Sequence, residues 1–238
     1  MVAEPKNEAG HALQAWAQGA QGAQGAGGRA PWAAAIRRLG PRHAGRIAKH
    51  LKALDARDRY LRFGYAATDE QIQAYVDTLD FTRDDVFGIY DRQLELVAMA
   101  HLAHSFDASY AACAEFGVSV LPRARGQGYG SQLFERAMRR ARNVGVELFF
   151  IHALTENTAM LHIARKAGAI VERDGPDARA YLRLPPATFD SQIREMVEEQ
   201  LAQTDYSLKR QARRFWDFLT LLQEVRQGVR QGRHQSGA

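Results

Sequence analysis

The chain has 238 residues, 46% apolar and 25% charged, with a formal net charge of +5 at pH 7. That composition is globular, excluding a fibrous or wholly disordered chain, and the length suits one domain with extensions. The single cysteine, Cys113, excludes an internal disulfide and a thiolate metal cluster. It fits a reducing compartment, so a cytoplasmic location without a structural metal is expected.

Residues 1–30 repeat Gln-Gly-Ala without apolar periodicity and read as a disordered arm, not a signal peptide. No run approaches the roughly 18 apolar residues that cross a bilayer, so no membrane partner is expected. Ala33–Leu39 reads as a short strand, and Gly40-Pro41 opens a helix to about Leu54 that buries Ala44, Ile47, Ala48 and Leu51. Thr68-Asp-Glu-Gln71 is a capping box that starts a second helix through Ile72, Tyr75, Val76 and Leu79. Val86–Asp91, Leu94–His104 and Cys113–Leu121 read as successive strands.

Next comes Arg125-Gly-Gln-Gly-Tyr-Gly130, between an apolar strand and an amphipathic helix carrying Leu133, Phe134, Ala137, Met138 and Ala141 on one face. Arg136, Arg139, Arg140 and Arg142 are expected largely off that face. Glycines at this junction let several backbone N–H groups converge where the helix end adds partial positive charge, which suits a phosphate-bearing ligand. The spacing matches neither a P-loop, which needs Lys-Ser/Thr after its last glycine, nor G-x-G-x-x-G. Glu147 also precedes the next strand, where a ribose-binding acid would follow it.

Leu148–Ala153 is a short apolar strand, 158–167 a helix closed by Gly168, and Ile170–Arg173 with Arg179–Leu184 a terminal hairpin. A mixed αβ domain therefore spans 31–186 and ends at Pro185-Pro186. Beyond it, 187–238 is a helical extension with a frayed tail. Phe189, Ile193, Met196, Val197 and Leu201, then Phe215, Phe218, Leu219, Leu222 and Val225, form an apolar stripe. Such a stripe is expected to be buried, on the domain or in a homodimer contact. The segments Arg37–Arg62 and Lys209–Arg233 are basic, but no aromatic pattern accompanies them and nucleic acid is not an expected partner.

Val118-Ser-Val120-Leu-Pro122 followed by Arg125-x-x-Gly128-x-Gly130 resembles the cofactor loop of the GNAT acyltransferase superfamily, and Asn157, Met160, Ile163 and Gly168 resemble the second half of its signature. Arg59-Tyr-Leu-Arg-Phe63 is similar to a segment of bacterial members related to protein-lysine acetyltransferases. The resemblance implies a mixed, mostly antiparallel sheet with helices on both faces, an α/β (α+β) fold, and acetyl-CoA as co-substrate for acetyl transfer to an amine. It places the pantetheine arm along the backbone of Val118, Ser119 and Val120, and the pyrophosphate on the amides of Gly126, Gln127, Gly128, Tyr129, Gly130 and Ser131. Arg125 adds charge there, and Asn157 meets the pantetheine or caps its helix.

Direct attack by an amine needs a proton acceptor. The resemblance offers two, Glu115 on the strand before the loop and His152 on the strand after it, with a shared water relay as a third arrangement. The tyrosine that protonates the departing thiolate in many relatives would fall at Ala164, and His162 lies on a different face of that helix. Covalent transfer through Cys113 is disfavoured because the family transfers directly. A non-catalytic acyl-CoA-binding module is the rival reading. Six acids between Asp69 and Asp85, against Arg83 alone, suggest a negative acceptor entrance that would gather cationic amines. The Arg59–Phe63 resemblance puts a protein or peptide lysine ahead of a small polyamine or antibiotic as that amine.

Overall fold

The computed structural model describes residues 34–105, 112–188 and 191–207. The expected arm at 1–30, Phe189 at the start of the apolar stripe, and the stripe's second half from Phe215 to Val225 lie outside the described residues. Among the described residues seven strands form one sheet: β1 (Ile36–Leu39), β2 (Asp85–Tyr90), β3 (Leu96–Ser105), β4 (Cys113–Val120), β5 (Leu148–Leu154), β6 (Ile170–Asp174) and β7 (Asp177–Arg183). Their order is β1-β2-β3-β4-β5-β7-β6. Among the described neighbours only β4 and β5 pair parallel, joined by the helix between them; β5 also crosses over β7 to reach β6, and the other neighbours pair antiparallel.

Helices α1 (Ala44–Lys52), α2 (Ala56–Phe63) and α3 (Asp69–Asp77) cover one face, and α4 (Tyr129–Asn143) and α5 (Thr158–Lys166) the other. Alternation in β4 serves both faces: Ala114 and Phe116 enter the core beneath α4, while Ser119 turns to α1. Phe116, Phe134 and Phe149 meet there with ring centres 5.2–5.7 Å apart. The capping box at α3 forms as read, with Gln71 N donating to Thr68 Oγ1 and Thr68 N donating to Gln71 Oε1.

Helix α2 was not legible as a helix, since Ala-Arg-Asp-Arg-Tyr-Leu-Arg-Phe has no apolar stripe. Its signals are at its ends: Asp55 accepts from Asp58 N at 2.7 Å, and Gly64 stops it at φ +80°. Arg59 ties its neighbours together, donating to the carbonyls of Leu54, Ala67 and Lys52 and pairing with Asp69.

Residues 191–207 form a sixth helix, α6, which docks on α4 in the opposite sense to the expected one. Its acids face inward: Glu195 and Glu199 accept from Arg136, whose side chain is only 3% exposed, Glu198 pairs with Arg139, and Tyr206 accepts from Arg46. Ile193, Met196, Val197 and Leu201 are exposed, and Arg136, expected off the buried face, lies under α6 with its guanidinium over Phe87. Amphipathic pattern alone cannot anticipate this, because a row of arginines on one helix and a row of glutamates on another make an interface that hydropathy scores as surface.

Candidate active site

The strand β5 keeps β7 as a neighbour along its whole length, but pairs with β4 only at Cys113↔Leu148, Ala114↔Phe149 and Glu115↔Phe150. Past that point β4 and β5 splay, and among the described residues the β4 edge at Val118, Ser119 and Val120 has no strand beside it on that side. A cleft of about 430 Å³ opens in the gap, lined by residues of α2, β4, β5, the start of α5 and β7. An extended amide-bearing chain can pair with such an edge as an added strand would.

At the end of β4 the chain turns through Pro122–Ala124 into the glycine loop. Gly126 and Gly128 both have positive φ, +76° and +74°, which turns the backbone sharply into α4, and Gly128 is the residue before its first turn. The amides of Tyr129, Gly130 and Ser131 begin α4, where N–H groups have no carbonyl one turn back. Gly130 answers a packing need, since a Cβ there would lie 3.3 Å from Ile163 of α5. Gln127 is exposed, and its carbonyl accepts from Gln132. Arg125 pairs with Asp58 of α2, so its charge anchors the loop to that helix. Asn157 caps α5 by accepting from Met160 N at 3.2 Å and also lines the cleft.

Both base candidates stand at the mouth of the splay, on the sheet face that α2 partly covers. Glu115 Oε1 lies 3.7 Å from His152 Nδ1, with side chains 56% and 61% exposed. A water can bridge two groups at that separation in an open site. Ala164 is buried in the core, His162 is exposed on α5, and among the described residues the cleft lining includes no tyrosine. Cys113 is half-buried at the first paired position of β4, below the cleft.

Ser119 is occupied by structure. Its hydroxyl hydrogen-bonds His50 Nε2 at 2.8 Å, while His50 Nδ1 donates to the Leu96 carbonyl at 2.9 Å. Burial lowers the His50 pKa to about 4, so the ring is neutral at pH 7 and serves as a cross-link between α1 and the sheet. A contribution of Ser119 to a ligand is therefore confined to its backbone.

The acidic entrance is overturned. Asp84 and Asp85 are buried, not facing the cleft: Asp84 accepts from His101, Arg83 and the His104 amide, and Asp85 pairs with Arg38, Arg140 and His104. Asp69 is taken by Arg59, and Asp80 is bound locally by Thr82. What sequence reading missed is Arg62, which lines the cleft from α2. Its only prior signal was membership of Arg59–Phe63, a segment whose first arginine is buried among carbonyls and whose second faces the site.

Residues 46–169 match the sequence model of the Acetyltransferase (GNAT) family, which is more than half of the chain. The chain belongs to that family. Its fold is similar to the GNAT domain of S. lividans PAT, with a TM-score of 0.53 at 19% identity over 63% of this chain and 89% of that one. It is also similar to the spermidine N-acetyltransferase from Vibrio cholerae solved with CoA and spermine, with a TM-score of 0.50 at 17% identity over 63% of this chain and 94% of that one. No curated protein matches the chain in sequence. The GNAT architecture accounts for the splayed strands and the glycine loop that follows β4. Among the described residues no helix is long and apolar enough to cross a membrane, and no group of three His, Cys, Asp or Glu is placed to hold a metal ion.

Proposed function

We propose that this GNAT protein is an N-acetyltransferase that moves an acetyl group from acetyl-CoA to a primary amine by direct attack. The observation that carries the reading is the succession of three features along β4: the Glu115–His152 pair where β4 and β5 part, the unpaired edge beyond it, and the glycine loop with its helix amides after the strand's end. The residues present fit coenzyme A, because the edge from Val118 to Val120 can pair with pantetheine amides and the amides from Gly126 to Ser131 can receive the pyrophosphate. When bound, acetyl-CoA supplies a thioester whose carbonyl carbon accepts the amine.

The protein's own residues then hold the acceptor and move its proton. An ammonium entering the cleft gives up a proton to Glu115 or His152, directly or through a bridging water, and the neutral nitrogen attacks. The N–C bond forms, the C–S bond breaks with its electron pair leaving on sulfur, and the nitrogen sheds its second proton to water, which balances the proton that water returns to the thiolate. A thiol of Cys-like acidity, pKa about 8.5, is a good enough leaving group for water to serve as its proton source, which accommodates Ala164 where a phenol would stand.

Calorimetry with acetyl-CoA and a turnover assay following amine-dependent thiol release test this reading together. Gly128→Glu forces a side chain into a positive-φ position and puts a carboxylate where phosphate should sit. Acetyl-CoA affinity should fall at least about tenfold, as expected for like-charge juxtaposition. Equal affinity in wild type and variant would remove the cofactor assignment, and binding without turnover on any amine would favour a non-catalytic acyl-CoA module.

A further inference from the structure

We propose that the amine acceptor carries a carboxylate within a few bonds of its amine, and that Arg62 binds that carboxylate in the cleft. This rests on the transferase reading above and adds the acceptor class to it.

The guanidinium of Arg62 lies face-on over Gly117 of β4: a Cβ at that position would stand 2.7 Å from Cζ and 2.8–2.9 Å from both Nη atoms. Only glycine leaves that space. The group is held in direction by a chain of hydrogen bonds, in which Arg62 Nη2 donates to Tyr75 Oη at 2.9 Å, Tyr75 donates to His101 Nδ1 at 2.8 Å, and His101 Nε2 donates to Asp84 at 3.1 Å. Every proton in the chain points away from the cleft toward Asp84, so the chain orients Arg62 without giving it a direct counter-charge.

Two of the nearby acids are committed elsewhere, and Glu115, on the same strand face as Gly117, makes no ion pair with Arg62 and approaches His152 instead. Asp58, one turn back on α2, pairs with Arg125, and Asp84 is shared by Arg83 and His101. Among the described residues no carboxylate lies within 4.0 Å of Arg62, although its Nε is buried and has no hydrogen-bond partner. By contrast Arg57, Arg59 and Arg125, its neighbours around the same helix, are each paired. A partly desolvated, pre-oriented guanidinium facing a cleft is a receptor for a planar anion.

Spacing supplies the rest. Glu115 and Gly117 share one face of β4, roughly 6–7 Å apart along the strand. An acceptor with its amine at Glu115 and His152 therefore meets Arg62 with a group a few bonds away, as in an α-amino acid or a short ω-amino acid. A polyamine would set positive charge against the guanidinium in the same space.

The test uses the full chain and pairs of amines that differ only in charge: free amino acids and short ω-amino acids against their carboxamides, with acetyl-CoA saturating. The acids should be preferred in kcat/KM by about tenfold or more, the scale of a charge-assisted pair. Arg62→Gln should erase the preference through the KM of the acid. Gly117→Ala should do the same with the charge intact, because the new methyl displaces the end of a flexible side chain and spares the backbone. Acetyl-CoA affinity should hold in both variants. Carboxamides used as well as acids by wild type, or a preference that survives both variants, would overturn the assignment. If no amine is turned over, the transferase reading fails separately, and NMR titration of the amino acids into the CoA-bound protein decides the Arg62 claim: binding lost in both variants supports it, and absent or unaltered binding overturns it.

Discussion

Beneath α4, Asp85 is 1% exposed and meets Arg38, Arg140 and His104, and Arg136 and Arg140 in turn reach the glutamates of α6. Across the sheet, Glu115 and His152 stand 3.7 Å apart in the open cleft, with Arg62 over Gly117 beside them. Both clusters have similar chemistry, yet in the first each charge is closed by a partner, and in the second the groups are offset, half-solvated and incompletely paired. Closed charges hold elements in register, and removing one strands the others. Open charges contribute little to stability and are free to exchange protons or bind.

The sharpest way to break the contrast is to disable the open pair. Glu115→Gln with His152→Ala should cut turnover about 10³-fold, within the range of general-base removal, while the melting temperature and acetyl-CoA affinity barely change. Each single variant should lose nearly as much as the double if the two share one water, and the losses should multiply if they act independently. A double variant with wild-type turnover would leave proton uptake to solvent.

On the closed side, Asp85→Ala should destabilise the fold by about 3 kcal/mol, the low end for a broken buried pair because Arg38 and Arg140 keep some access to water. Urea unfolding measures this, and turnover per folded molecule should survive. A loss under about 0.5 kcal/mol would place Asp85 with ordinary surface residues.

The third effect is acid sensitivity that belongs to structure and not to the cleft. Burial depresses the pKa of His50 to about 4, and those of His43 and His101 below their usual value, with hydrogen bonds to Gly40 and Asp84 opposing the fall. Unfolded histidines take up protons near pH 6.5 while the folded ones resist. Stability is therefore full above that pH and declines as pH drops toward 4, by about 2–3 kcal/mol for His50 alone. Burial raises the Asp84 and Asp85 carboxyls, but their hydrogen bonds and neighbouring cations more than offset it, so their contribution is lost only at still lower pH. His50→Gln should flatten the slope between pH 6.5 and 4.5, and an unchanged slope would mean that the ring is not held neutral.

Local signals determined a great deal. Alternation and caps mark β2 to β5, α3 and α5, and the run from Val118 to Gly130 marks a strand, a sharp turn and a helix start, because backbone needs at such a junction restrict the residues to glycine and proline. Those same signals carried the family resemblance, and it was the resemblance that pointed to Glu115 and His152. Only tertiary structure decided how charges were used. Asp84 and Asp85 look like solvent-facing acids in sequence, but long-range partners at positions 38, 101, 104 and 140 bury them. Arg125 looks like a phosphate ligand and is held by Asp58, while Arg62 looks like surface and faces the cleft. Ion pairing is set by which strands and helices become neighbours, with no period along the chain, so its sense cannot be read before the sheet order is known.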